Sequence, residues 1–228
     1  MSDSLKIPAQ PAAPLPAKTR LLDAALHTIR QKGYAATTVD DICHVAGVTK
    51  GSFFHHFKSK DELALAAIAY WERVTGEVFL AAPYQQAADP LDRLLGYLDF
   101  RAAILSGSLA DYTCLLGTLV QETYETHPQL RIACQRALDS HIETLTRIAA
   151  EAKARYAPKA TWTAESLAAY IQAVLQGSFI FVKARQGTET AHANLDHLRR
   201  YLVLLFARES QKASRTAPLP RTARRRKS

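Results

Sequence analysis

The chain has 228 residues, of which 48% are hydrophobic, enough to bury one small domain and one larger domain. Its formal charge of +8 is typical of a nucleic-acid-binding protein, but residues 212–228 carry seven cations and no acid, which leaves only +1 for the rest. Three scattered cysteines are too few for a disulfide scaffold, so neither charge nor cysteine content identifies a function.

The two ends of the chain have compositions typical of disorder. The Pro/Ala-rich start predicts a disordered arm over residues 1–14, and the Pro/Arg-rich end predicts a basic disordered tail over residues 211–228. The tail is either a solvated terminus or a cationic arm that raises nonspecific DNA affinity. Neither end resembles a signal peptide, and no run of 18 apolar residues is present, so we expect a cytoplasmic protein with no membrane partner.

The first predicted helix covers residues 19–32. Leu22, Leu26 and Ile29 recur at helical spacing and form its inner face. Gly33 follows the last periodic residue and ends the helix.

Residues 38–57 predict two short helices joined by a tight turn. Either Thr37 or Thr38 supplies the side-chain oxygen that caps the first helix. Gly47 ends this helix, because glycine readily adopts the left-handed backbone that a tight turn needs. The inner face of the first helix consists of Val39, Ile42 and Ala46, at spacings of three and four.

The second short helix is capped by Thr49 and packs inward through Phe53 and Phe57. Its outer surface offers a cation, hydroxyl groups and a small residue, with no acid among them, and these are groups that contact DNA. The outer residues are Lys50, Gly51, Ser52, His55 and His56. The pair of helices therefore has the pattern of a helix-turn-helix.

A long helix follows the helix-turn-helix. Ser59 and Glu62 match the capping box S-x-x-E and predict a helix from Ser59 to about Ala81. This helix would join the DNA-binding part of the chain to the remainder and act as a lever between them. We predict a helix-turn-helix DNA-binding domain over residues 15–75 and a second helical domain over residues 76–210.

The segment GYAATTVDDICHVAGVTKGSFFHHFKSKDEL closely resembles the DNA-binding domain of tetracycline-repressor-type (TetR/AcrR) transcriptional regulators. The shared features are the helix-ending glycine, the threonine cap, the A-G-V turn, the K-G-S start of the second short helix and the K-S-K-D-E-L opening of the next helix. The resemblance implies an all-α fold, a double-stranded DNA operator and a homodimer. It also implies a small-molecule effector, whose identity it does not give.

The same resemblance assigns roles to individual residues. It makes Thr38 a phosphate contact, and Lys60 a contact to the DNA backbone from the long helix. Phe54 is also placed among the DNA-binding residues, but it stands where the family commonly has tyrosine, so a hydroxyl contact to phosphate is missing and we expect Phe54 to pack apolarly instead. The groove-facing residues would be Thr49, Lys50, Gly51 and Ser52, with His55 and His56 flanking phosphates.

The second domain reads as helical throughout. Asp89-Pro90 and His127-Pro128 each match an N-cap followed by a first-turn proline, and Gly187 is one of the breaks. The last two helices, about 163–186 and 188–208, have apolar faces broader than one core-facing stripe. These faces pack either internally or, as the resemblance implies, against a second subunit. A dimer agrees with operator geometry. The second short helix of each subunit, the recognition helix, must reach its own major groove, and the two grooves lie about 34 Å apart.

Cys114 lies in YTCLLGTLVQE, which resembles the ligand-domain segment of regulators that respond to oxidants or electrophiles. Lys183 could lie nearby, and a lysine lowers the pKa of a neighbouring thiol. The alternative is that Cys114 is an ordinary core residue. Effector sensing by Cys114 and Lys183 and simple packing both remain open at the level of sequence.

Catalytic and metal-binding motifs are not found in the sequence. No C-x-x-C, H-E-x-x-H, G-x-S-x-G or phosphate-binding glycine loop is present, so we expect no catalytic residues, metal or cofactor. The predicted function is DNA-binding transcriptional regulation, as a repressor released from a palindromic operator by an effector. The alternatives are a helical-bundle enzyme or small-molecule-binding protein, and a nonspecific architectural DNA binder.

Overall fold

The computed structural model describes residues 15–215, with side chains described as far as residue 207. The predicted arm over residues 1–14 lies outside the described residues, as do residues 216–228 of the predicted tail. Within the described range the chain forms ten α-helices and one 3-10 helix, without a β-strand. The predicted all-α fold, with an N-terminal helix-turn-helix and a C-terminal helical domain, is confirmed.

The helices follow one another with short connections, and the 3-10 helix covers Pro83–Gln86. The α-helices are α1 (Ala17–Lys32), α2 (Val39–Ala46), α3 (Lys50–His56), α4 (Lys60–Leu80), α5 (Pro90–Ala103), α6 (Leu109–Tyr112), α7 (Leu115–Thr123), α8 (Pro128–Tyr156), α9 (Ala164–Arg185) and α10 (Glu189–Arg215). The last helix thus extends beyond residue 210, where the sequence predicted the domain to end.

The caps of the helix-turn-helix form as the sequence predicts. Thr38, rather than Thr37, caps α2: its hydroxyl oxygen accepts from the N–H of Asp41 at 3.1 Å, and the Asp41 carboxylate accepts from the N–H of Thr38 at 2.8 Å. Gly47 ends α2 in the left-handed region at φ 61°. Thr49 caps α3 by accepting from the N–H of Ser52 at 3.2 Å. These caps satisfy backbone donors that the short helices leave free.

The cap of α4 differs in part from the predicted capping box. The Ser59 hydroxyl accepts from the N–H of Glu62 as expected. The Glu62 carboxylate accepts from the N–H of Lys58 at 2.7 Å instead of returning to Ser59. Glu62 therefore satisfies the backbone N–H of Lys58, one residue before the predicted donor.

The core of the N-terminal helices extends into the second domain. Phe53 and Phe57 are fully buried, as predicted, among the inward faces of α1, α2 and α4. The same apolar cluster includes Leu115 and Leu119 of α7 and Leu130 of α8. The DNA-binding helices thus share packing with two helices of the C-terminal domain, and close packing of this kind transmits displacement.

A second apolar cluster lies between α5, α8, α9 and α10. Asp89 caps α5 by accepting from the N–H of Leu91 at 2.8 Å, with Pro90 in the first turn as predicted. Pro128 begins α8, but the ring of His127 pairs with the Thr126 hydroxyl and does not cap the helix. The break after α9 is made by Gln186 in the left-handed region, one residue before the predicted glycine.

The helix α9 is, among the described residues, the one that is long and apolar enough to cross a membrane by length and composition. It packs against α8 and α10, and its apolar residues form much of the second cluster. Core helices of globular domains pass the same test. With 44% of its apolar window buried, α9 places one face in the bundle core and leaves another exposed.

Burial of His141 makes the stability of the fold depend on pH. The ring nitrogen Nε2 lies 3.0 Å from the Tyr97 hydroxyl, and burial, with the positive charge of Arg101, lowers the pKa of His141 to about 4. The unfolded histidine binds a proton below about pH 6.5, whereas the folded one stays neutral until about pH 4. The free energy of unfolding should therefore fall as the pH drops between these values, by at most about 1.4 kcal/mol per pH unit from this residue.

Denaturant titrations at pH 7.5, 6 and 5 measure this slope. The variant His141→Gln keeps a hydrogen-bonding side chain without the titration, and its unfolding free energy should change less over the same range. His44→Gln, at an exposed site, is the matched control and should retain the wild-type slope. Equal slopes for wild type and His141→Gln would contradict this interpretation.

Candidate nucleic-acid interface and effector cavity

The N-terminal end of α3 presents the predicted groove-facing segment to solvent. Thr49, Lys50 and Gly51 are exposed, and Ser52 is half-buried. A Cβ atom built on Gly51 would meet, among the described residues, only the Thr49 hydroxyl oxygen, at an ordinary 3.7 Å. Packing within the chain therefore does not require glycine here, and the small residue leaves room for a ligand to approach the backbone.

Lys50 has an intramolecular partner that sequence reasoning missed. Its ammonium lies 2.8 Å from the carboxylate of Asp40 on α2, and this hydrogen bond raises the pKa of Lys50. Both side chains are more than half exposed, so the pair is weak and its partners can separate. Ten positions separate the two residues, and only the turn at Gly47 brings them together.

Phe54 lies on the outer side of α3. Its ring is 56% exposed and touches the buried ring of Phe53 edge-on, with 5.1 Å between the centroids. The predicted apolar packing is therefore limited to this one ring contact, and a role of Phe54 in DNA binding stays a prediction. An aromatic ring therefore lies beside the groove-facing segment.

The two histidines lie in the last turn of α3. His55 is exposed and His56 is half-buried, and their ring centroids are 4.9 Å apart. Both are thus on the same exposed end of the helix-turn-helix as Phe54. Their surface position is compatible with the predicted phosphate contacts, which stay a prediction.

Thr38 and Asp41 form a small polar network at the start of α2. The Thr38 hydroxyl donates to Asp41 at 2.6 Å, and the Lys32 ammonium lies 2.7 Å from the same carboxylate. Hydrogen bonds from Lys32 and Thr38 hold the pKa of Asp41 far below its usual range. Thr38 is exposed, so the first turn of α2 is fixed in position while the residue remains open to solvent.

Lys60 is engaged within the protein. Its ammonium donates to the carbonyl oxygens of Tyr34 at 3.0 Å and Thr37 at 2.9 Å, and it lies 4.1 Å from the centroid of the Tyr34 ring. In this structure Lys60 joins the start of α4 to the connection between α1 and α2. Its predicted contact to the DNA backbone would have to compete with these acceptors, and it stays a prediction.

Arg20 is a further residue that sequence reasoning missed. Its guanidinium donates to the carbonyl oxygens of Ala46 at 2.9 Å and Gly47 at 3.1 Å. These are acceptors that the end of α2 would otherwise leave free. Arg20 therefore fixes the turn between α2 and α3 from α1, and a long-range bond of this kind has no sequence pattern.

The C-terminal domain contains a cavity of about 200 Å³ between α7 and α9. Cys114, at the start of α7, and Lys183, near the end of α9, both line it, so the structure brings the two predicted sensing residues together. The Lys183 ammonium donates to the Thr118 hydroxyl at 2.7 Å. Burial lowers the pKa of Lys183, although the negative charge of Glu122 opposes this.

The three cysteines differ in their surroundings. Cys43 and Cys134 are buried, and burial raises the pKa of both thiols, to about 12 for Cys134. A thiol with such a pKa is protonated at neutral pH and reacts slowly. Cys114 is partly exposed and faces the cavity, so it is the cysteine that a small molecule can reach.

The outer surfaces of α9 and α10 carry large exposed apolar side chains. Tyr170 of α9 and Tyr201 of α10 contact each other edge-on, with 5.5 Å between ring centroids. We call this the α9–α10 face, and its exposed apolar residues are Tyr170, Ile180, Phe181, Tyr201, Val203 and Leu204. Some of the apolar residues of α9 and α10 thus pack inside the chain, and others remain exposed in a single chain.

Two family models match separate parts of the chain. The family model described as "Bacterial regulatory proteins, tetR family" matches residues 21–67, and the model of the "Transcriptional regulator LmrA/YxaF-like, C-terminal domain" matches residues 90–194. A regulator encoded in the lacX 3' region of Lactococcus lactis is 26% identical over 182 residues, which cover 80% of this chain and 91% of that protein. The regulator BetI of Brucella canis is 30% identical over 139 residues, covering 60% and 70%.

The uncharacterized HTH-type transcriptional regulator YerO of Bacillus subtilis is 41% identical over 54 residues, which cover 24% of this chain and 19% of that protein. Among solved structures, a TetR transcriptional regulator from Chloroflexus aurantiacus superposes with a TM-score of 0.72 at 25% identity, covering 82% of this chain and 94% of that one. The helix-turn-helix geometry, the two family matches and these relatives lead to one conclusion. The chain belongs to the TetR family of bacterial transcriptional regulators and carries its DNA-binding helix-turn-helix.

Proposed function

We propose that the chain is a homodimeric, cytoplasmic repressor that binds a palindromic operator and is released by an effector in the cavity of the C-terminal domain. The observation that carries this proposal is the presence, in one chain, of an exposed recognition segment and a cavity with an accessible thiol and a lysine. A regulator needs both a surface that reads DNA and a site that reads a signal.

The DNA-reading role falls on the exposed end of α3. Lys50 offers charge and the Thr49 and Ser52 hydroxyls offer hydrogen bonds, while Gly51 lets the duplex approach closely. The exposed ring of Phe54 suits the methyl group of thymine, a contact that apolar side chains make in the major groove. Phosphate contacts would come from Thr38, His55 and His56.

Dimer formation would occur through the α9–α10 face. Six large exposed apolar side chains on two packed helices favour association, because association removes their apolar area from water. A second copy would cover it by symmetry, since a two-fold interface places the same patch on both subunits. The resulting pair of recognition helices can then match two half-sites about 34 Å apart.

Release of the operator would follow from differential affinity. An effector that binds best to a dimer whose recognition helices do not match the spacing of the operator half-sites must weaken operator binding. By thermodynamic linkage, the operator weakens effector binding by the same factor. The effector is either a small molecule held by the cavity or an electrophile that Cys114 attacks. In the second case the sulfur forms a bond to an electrophilic carbon, and the thiol proton is passed on to the adduct.

The role of Lys50 can be tested by substituting each member of the Lys50–Asp40 ion pair in turn. Lys50→Ala should weaken specific operator binding by roughly tenfold, and it should reduce the salt dependence by about 0.9 log units for each phosphate that the lysine neutralises. Asp40→Asn should strengthen binding severalfold, because it frees the Lys50 ammonium from its partner. Footprinting on the DNA flanking the gene locates the operator, and gel-shift titration measures affinity.

Circular dichroism should show unchanged helicity for both variants, since both sites are exposed. Operator affinity that is the same for Lys50→Ala and wild type would reject the assigned role. Equal affinity for operator and random duplex would reject sequence-specific regulation as a whole.

The dimer interface can be tested with a buried-charge substitution. Leu204→Glu places a carboxylate in the α9–α10 face and should convert the dimer to a monomer, because an unpaired charge is costly in an apolar interface. Leu80→Glu, at a more exposed apolar residue of α4, is the matched control and should stay dimeric. Sedimentation equilibrium measures the mass, and a persistent Leu204→Glu dimer would contradict this interface.

The sensing role of Cys114 can be tested by alkylation. N-ethylmaleimide should release the wild-type protein from its operator, and Cys114→Ser should bind the operator normally but resist release. Cys43→Ala removes a buried thiol and should respond like the wild type. Gel shifts with and without the reagent give the result, with mass spectrometry to locate the adduct; full release of Cys114→Ser would exclude Cys114 as the sensor.

A further inference from the structure

Glu122, near the end of α7, lies between the cavity and the DNA-binding helices. Its side chain is among those that line the cavity with Cys114 and Lys183. Its carboxylate also accepts a hydrogen bond from the N–H of Ala35 at 2.7 Å. Ala35 belongs to the connection between α1 and α2, which we call the α1–α2 turn (residues 33–37).

The α1–α2 turn is shaped to accept this carboxylate. Gly33 has φ 90°, a left-handed conformation that disfavours residues with a Cβ. A Cβ atom built on Gly33 would lie 2.3 Å from a carboxylate oxygen of Glu122, far inside contact distance. The glycine therefore serves two purposes, since it ends α1 and makes room for a side chain from the other domain.

The α1–α2 turn leads directly into the helix-turn-helix. The Thr37 hydroxyl donates to the carbonyl of Gly33 at 2.6 Å, and Lys60 binds the carbonyls of Tyr34 and Thr37. The next residue, Thr38, begins α2 as its N-cap. A displacement at Ala35 is therefore carried by short, bonded steps to the first turn of α2 and the start of α4.

Glu122 interacts with the cavity through the charge of its carboxylate. The Glu122 charge attracts the Lys183 ammonium and stabilises its protonated form. Lys183 is half-buried and Glu122 is exposed, so this attraction acts between two residues that line the cavity and not within an ion pair. The carboxylate thus interacts with a cation of the cavity and with a backbone amide of the DNA-binding domain.

We propose that Glu122 is the positioning residue that couples the cavity to the helix-turn-helix, because its carboxylate lines the cavity with Lys183 and accepts the hydrogen bond of the Ala35 amide. An effector that neutralises or displaces Lys183 changes the strength of the hydrogen bond between Glu122 and the α1–α2 turn. The helices α2 and α3, which follow the turn, then shift. This inference rests on the proposed effector-controlled function and gives it a route distinct from α4, which the sequence suggested as the lever.

The test is a double-mutant cycle on Lys183→Gln and Glu122→Gln, read by hydrogen exchange of the peptide that covers residues 33–38. Lys183→Gln should slow exchange at this peptide by about threefold or more, because the Lys183 charge then no longer attracts the Glu122 carboxylate away from the Ala35 amide. In the Glu122→Gln background the same substitution should change exchange by less than about 1.5-fold. Glu125→Gln, an exposed acid three residues away, is the matched control and should leave the coupling intact.

This readout needs neither DNA nor effector, so it separates the inference from the proposed function. Equal effects of Lys183→Gln in both backgrounds would overturn the coupling role even if operator binding and release are demonstrated. Operator affinity measured on the same four proteins should show the same non-additivity. If the chain shows no preference for operator over random duplex but the exchange effects of the two substitutions are coupled, only the repressor function is rejected. The coupling role of Glu122 then stands.

Discussion

The fixed geometry of the α1–α2 turn is the constraint that ties the helix-turn-helix to the C-terminal domain. Lys60 holds two of its carbonyls and Glu122 holds one of its amides, so α4 and α7 meet at a single stretch of backbone. Because the turn ends at the N-cap of α2, these bonds set the orientation of the helix-turn-helix relative to the C-terminal domain. A recognition helix can be placed accurately on a duplex only if its support is rigid.

Packing reinforces this polar junction. The apolar cluster around Phe53 and Phe57 continues through α7 into the first three turns of α8, so the DNA-binding helices do not form an isolated core. The cavity with Cys114 and Lys183 borders the same helix α7. A change in the cavity therefore acts on a closely packed element, which shifts as a unit because interiors of native density deform little.

The electrostatics of the recognition surface are local. Outside the tail the chain is nearly neutral, and Lys50 is balanced by Asp40 in the absence of DNA. A phosphate that binds Lys50 must replace a carboxylate, so part of the attraction is offset in the free protein. In the proposed function this arrangement would limit nonspecific affinity and leave discrimination to the shape and hydrogen bonding of the exposed α3 segment.

The sequence determined the local features of this protein. Caps such as Thr38 and Asp89, the turn at Gly47 and the inward spacing of Phe53 and Phe57 are set by interactions within a few residues, and all of them form as predicted. Only the tertiary structure decided that Phe54 faces outward and that Glu122 reaches the α1–α2 turn. Contacts between residues far apart in the chain depend on how helices pack, and helical periodicity says which face is apolar but not which element covers it.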